Sequence, residues 1–155
     1  MRTLTLLILS AATALAADVS GVIKLNGPQP KRPPLQLTPE SRKLYEGRPY
    51  PRDEVELVSA KGEIKNVFVY IRKGLPAGKT YAAPKKAALL DQQRSMFRPR
   101  IQGLFVGQDF AMRNSDPIIH NVRSLSQENR PFNIAQPAGT PDRLKRFSDQ
   151  EGPIE

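Results

Sequence analysis

Proline constrains this chain more than any other residue. Fifteen are scattered through 155 residues, about twice the usual share, and each fixes φ and removes a backbone donor. No interval between them has room for a bundle of helices, so strands joined by stiff loops are the expected material. The length allows one domain with a modest single core.

The strand signals agree. Residues 19–25 (VSGVIKL) read as a first strand, ended by Asn26-Gly27-Pro28, and residues 27–34 have the composition of an extended, polyproline-like connector. Thr38-Pro39-Glu40 is a helix start, with Thr38 as N-cap and Pro39 at the first helical position. It predicts one short helix over 39–45, closed by Gly47 and Pro49. Residues 54–59 alternate as a half-buried strand would. The strongest strand is expected at 64–71 (IKNVFVYI), dense in β-branched and aromatic residues within the Pro-free interval 52–75. Further strands are expected at 87–92, at 97–106 with Pro99 marking an edge, and at 108–113. Three more follow at 118–125, 132–135 and 143–147. Short strands at such spacing suggest an all-β Greek-key β-sandwich.

The first residues read as an address. Arg2 precedes an apolar run from Leu4 to Leu9, and Ala14-Leu15-Ala16 is a small-x-small cleavage signature. Residues 1–16 are therefore expected to be a signal peptide cleaved after Ala16. That leaves a domain over 17–155 in the periplasm or outside the cell. No later run approaches the length of a membrane span.

Residue counts remove much chemistry. Cys is absent and His120 is the one histidine. Disulfides, Cys-ligated zinc, Fe–S clusters and thiol catalysis are excluded within these residues, as are zinc sites built on several histidines. The carboxylates Glu54 and Glu56 share a strand face without forming an acid pair. Gly74 to Thr80 departs from the spacing of a phosphate loop. No enzymatic activity is expected. The net charge of +9 is spread singly or in pairs, which argues against a nucleic-acid stripe. It fits a solvated surface or steering toward an acidic redox partner protein. A monomer is expected.

One motif carries more. Asn114-Ser115-Asp116-Pro117-Ile118-Ile119-His120-Asn121-Val122 resembles the N-x-D-x-x-x-H-N signature of cupredoxins, the small blue-copper sandwiches. Its surroundings narrow this further. Lys65-Asn66-Val67-Phe68-Val69-Tyr70-Ile71, Leu90-Asp91-Gln92, Phe97-Arg98-Pro99 and Arg130-Pro131-Phe132-Asn133 with Gln136-Pro137 resemble a family of exported cupredoxin-like proteins. Members are often labelled plastocyanin-like or methylamine-utilisation proteins. The resemblance runs over about residues 19–147. It implies copper binding and one-electron transfer, with His120 as the first copper ligand and Asn121 bracing the loop that bears the thiolate. Asn114 and Asp116 would support the site.

The departures are as informative. The remaining ligands of such proteins follow in a later loop of the pattern C-D-x-H-P-W-M, and the sequence ends a few residues short of where it should begin. Residues 150–155 read as a turn followed by the start of a further strand, or equally as a frayed polar tail. The resemblance thus implies a sandwich lacking its last strand and an incomplete copper site. Ser95 and Arg100 stand where Cys and His frequently do. A blue-copper centre takes two imidazoles, a thiolate and a long axial thioether. This chain offers His120 and the thioethers of Met96, expected in a loop, and Met112, expected in a strand where it packs as core. Two other readings stay open. One is a non-redox binding module for carbohydrate or protein, for which Tyr45, Tyr50 and Tyr81 in loops make a poor aromatic platform. The other is a Cu(I) chaperone using Met96, Met112 and His120, if the three converge.

Overall fold

The computed structural model describes residues 20–55, 57–71, 73–152 and 154. The expected signal peptide over 1–16, its cleavage after Ala16 and the start of the first expected strand lie outside the described residues. Among the described residues the fold is all-β with one short helix. Helix α1 spans Pro39–Lys43, opened as the sequence predicts: the Thr38 hydroxyl accepts from the Ser41 amide at 3.2 Å, with Pro39 at the first position. It ends two residues earlier than expected. No helix among the described residues is long and apolar enough to cross a membrane.

Eight strands form three sheets among the described residues. β1 (Leu57–Val58) and β2 (Ile64–Lys65) make a minimal antiparallel pair. β3 (Ala88–Gln93), β4 (Met96–Arg98), β5 (Phe110–Asn114) and β8 (Arg143–Lys145) form a four-stranded sheet in the order β4-β3-β5-β8. Within it β3 and β5 are parallel, with Ala88 opposite Phe110 and Gln92 opposite Asn114. β6 (His120–Ser124) and β7 (Phe132–Gln136) form an antiparallel hairpin with His120 opposite Gln136.

Period-two patterning explains how these layers meet. Phe110, Met112 and Asn114 alternate to the buried side of β5, as Val122 and Ser124 do on β6. The core is the cluster Phe110, Met112 and Val122, with Leu90, Leu104, Phe132, Ile134 and Phe147 packed around it. It lies where the four-stranded sheet and the β6–β7 hairpin face one another. The layer of Gln92, Asn114 and Gln136, all buried, closes one end of this core. Burying amides is costly unless each is paired, and these are, as shown below.

Four expectations change. Of the strand expected at 19–25, the described residues 20–25 supply an isolated bridge, Lys24 to Glu63, in place of a strand. The expected dominant strand at 64–71 pairs only through Ile64 and Lys65. Asn66 then takes a left-handed φ of 58°, which turns the chain out of the ladder, and residues 67–71 lie exposed outside any strand. Strand propensity measures fit to a half-buried pleated surface, and no neighbouring strand supplies that surface here. Finally, 97–106 contributes only the edge strand β4, which stops at Arg98 before Pro99. Met96, expected in a loop, opens that strand and is buried.

Candidate metal centre

The site begins with a turn. β3 and β4 pair Gln93 with Met96, leaving Arg94 and Ser95 as a two-residue loop with φ of 53° and 56°. Two left-handed residues make a turn of the kind that favours Asn and Gly, and side-chain-bearing residues adopt that backbone at a cost of about 1–2 kcal/mol each. Asp116 offsets it. Its carboxylate accepts from the Arg94 amide at 2.5 Å and from the Ser95 amide at 2.7 Å. The turn is tied again from outside, where the Tyr45 hydroxyl donates to the Arg94 carbonyl at 2.5 Å. Burial raises the Tyr45 hydroxyl above its ordinary pKa. The Ser95 hydroxyl meets that of Ser41 on α1 at 2.8 Å.

Asp116 is aimed by the rest of its motif. The Asn114 side-chain oxygen accepts from the Asp116 amide at 3.0 Å, a local turn built by Asn. The Asn114 side-chain amide donates to the carbonyls of Ile118 and Gln136, both at 2.8 Å. Gln136 donates in turn to the Met112 carbonyl at 2.9 Å and accepts from Gln92 at 2.8 Å. Gln92 also donates to the Arg113 carbonyl at 3.0 Å. A hydrogen-bonded network of this kind rigidifies its surroundings.

His120 opens β6 with its side chain only 15% exposed, and its Nε2 lies 2.7 Å from Asp116 Oδ2. A carboxylate oxygen accepts, so Nε2 is the donor in this pair, and in the neutral tautomer that donates from Nε2 the Nδ1 is the acceptor. Nδ1 has no hydrogen-bond partner among the described residues. An imidazole oriented by a carboxylate on one nitrogen, with the other free, is the arrangement found behind metal-bound histidine.

His120 borders a small cleft of about 60 Å³ lined by Gln92, Ser95, Met96, Phe97 and Asn121 as well. Met96 and His120, far apart in sequence, are thus brought to one place. Asn121 is exposed at the rim and donates to Asn133 Oδ1 at 3.2 Å. Met112 does not join them. It is completely buried in the core cluster, because its strand position points between the sheets. The convergence of Met96, Met112 and His120 therefore does not occur.

No family model, curated protein or solved structure matches this chain. The copper reading accordingly stands on the residues themselves. They supply one imidazole and one thioether at the cleft. No group of three or more His, Cys, Asp or Glu that could hold a metal occurs among the described residues. A blue-copper centre also needs a thiolate and a second imidazole, and the sequence has neither. The donor set fits one corner of such a centre and not the whole of it.

Asn114, Asp116 and His120 were singled out in the sequence by the resemblance of residues 114–122 to the cupredoxin signature. Sequence reading assigned no role to Gln92 and Gln136, although both lie in blocks that carry the resemblance. It also missed the grip of Asp116 on the Arg94 and Ser95 amides. The available signal was the alternation of residues 132–136, which puts Gln136 on the same face as Phe132 and Ile134, because a buried amide implies a partner.

Proposed function

We propose that this chain is an exported, cupredoxin-like Greek-key sandwich that carries one part of a soft-metal site, His120 with Met96. The observation that carries the reading is the bond from His120 Nε2 to Asp116, which orients the ring beside the cleft that His120 and Met96 both line. Imidazole and thioether together favour Cu(I). On this reading the intact protein binds copper for one-electron transfer. Such a centre requires a thiolate and a second imidazole that these residues do not supply, and no redox step is assigned to the residues present. The three-ligand chaperone is not proposed, since Met112 sits in the core.

The test is anaerobic Cu(I) titration of residues 17–155 followed by NMR of the imidazole and methionine-methyl signals. The expected result is weak binding that shifts His120 and Met96 together, is lost in His120→Ala and weakens in Met96→Leu, without change at Met112. Signals of His120 unmoved at millimolar Cu(I) would reject the metal reading. The second reading, a non-redox binding module, would then lead. It is favoured by one observation: Phe68 and Tyr70 are exposed and their rings stack at 6.3 Å with an interplanar angle of 23°.

A further inference from the structure

Residues 67–71 combine properties that rarely stay exposed together. Val67, Phe68, Val69, Tyr70 and Ile71 are 47%, 54%, 73%, 68% and 64% exposed. All five are strong strand formers. Their backbone N–H and C=O groups make no backbone hydrogen bond to another described residue. The segment leaves β2 directly and rests on the loop beyond β4, where the Phe68 ring lies against Gly103 so closely that a Cβ there would stand 2.4 Å from it. Ile101, Phe105 and Val106 of that loop are also about half exposed.

Charge is gathered in the same part of the chain. Between residues 64 and 108 stand nine Lys and Arg against one acidic residue, Asp91, a net of +8 out of the total +9. Asp91 is buried, so its charge is not presented at the surface. Lys65 and Lys73, both exposed, bracket the apolar stretch. An antiparallel pairing of two copies of this stretch would set Lys65 against Lys73, and like charges directly opposite are destabilising. A second copy is therefore the disfavoured occupant.

We infer that residues 67–71 are a docking strand for an extended, acidic-flanked segment of a partner protein, which adds a strand to the chain at this point. Main-chain hydrogen bonds supply the pairing, alternate side chains pack on Val67, Val69 and Ile71 or on Phe68 and Tyr70, and Lys65 and Lys73 select acidic flanks. The inference is independent of the copper reading, because none of these residues lines the cleft beside His120.

The test uses residues 17–155 and two synthetic peptides of alternating valine and threonine, one flanked by paired glutamates and one by paired lysines. Fluorescence anisotropy should show the glutamate-flanked peptide binding about tenfold or more tightly than the other, with the difference shrinking at high salt. Amide NMR shifts should centre on 67–71. Val69→Pro removes a donor from an exposed residue and should abolish binding while circular dichroism stays unchanged. The double variant Lys65→Glu, Lys73→Glu should reverse the peptide preference. Equal binding of both peptides, binding indifferent to Val69→Pro, or an unreversed preference would overturn the proposal. So would sedimentation showing that the segment pairs with a second copy, or cosedimentation with anionic vesicles that Val69→Pro leaves intact.

Discussion

Asp116 is the residue on which most of the site turns. One carboxylate fixes two amides of a left-handed turn and the ring of His120, so it joins β3, β4 and β6 in a single contact. Charge-assisted bonds are the strong kind, and removing this buried acceptor leaves its donors without their partner. Asp116→Ala should therefore lower stability by about 2–3 kcal/mol, measured by urea unfolding. It should also broaden the His120 ring signals in NMR, because the ring loses its anchor. His120→Ala should cost clearly less, since it leaves both turn amides bound. Equal losses for the two would place the stabilisation in the imidazole. The spacing of Asn114, Asp116 and His120 was readable in sequence because a local turn sets it. The amides they serve were not, because those amides lie on another hairpin.

At the scale of elements, the loop after β6 is held to the segment after β8 by Asn129 and Glu151. The Asn129 side-chain oxygen accepts from the amides of Ser148 and Asp149 at 2.8 and 3.0 Å. Glu151 accepts from the Ser126 hydroxyl, from the Gln127 amide at 2.5 Å and from the Asn129 side chain at 3.1 Å. The Gln127 amide first, and the Ser126 hydroxyl next, hold the Glu151 carboxyl down to about 2 from an ordinary 4.5. A carboxyl depressed in the folded state stabilises fully above its unfolded pKa and loses that contribution as pH falls through the folded one. Hydrogen-exchange protection of the Gln127 amide should thus be level above about pH 5 and fall away toward about pH 2. Glu151→Gln should abolish this pH dependence, whereas a fall in protection unchanged in that variant would assign it to another group. The strands themselves divide by what patterning can report. β5, β6 and β7 were legible because each alternates against a core. The stretch after Ile64 was misjudged because its residues describe a good strand and say nothing about whether a neighbour exists.

For the whole molecule the balance of buried and exposed apolar groups is unusual. The fully buried side chain at the centre of the core is Met112, while eighteen large hydrophobic residues among those described are exposed. A small core concentrates stability in few contacts. Met112→Ala should cost about 2–5 kcal/mol, a large part of the roughly 5–15 kcal/mol typical of a domain, and should lower the thermal midpoint accordingly. Because Met112 does not line the His120 cleft, any Cu(I) response of His120 should survive in the variant at temperatures where it remains folded. A loss of that response without unfolding would link the core to the cleft.

Sequence alone settled what is local or compositional. Proline spacing and alternation required strands over helices, Thr38 and Pro39 placed the one helix, and the count of one His and no Cys excluded a complete blue-copper centre from these residues. The turn at Asn114 and Asp116 belongs here too, since four residues carry it. Only tertiary structure decided which strands find partners, that Met96 meets His120 while Met112 is spent on packing, and that the most strand-prone stretch is left exposed between two lysines. The physical reason is the range of the interactions. Propensity, capping and turns act within a few residues of chain, whereas sheet pairing, the filling of a core and the reach of a carboxylate to a distant amide exist only after the chain has closed on itself.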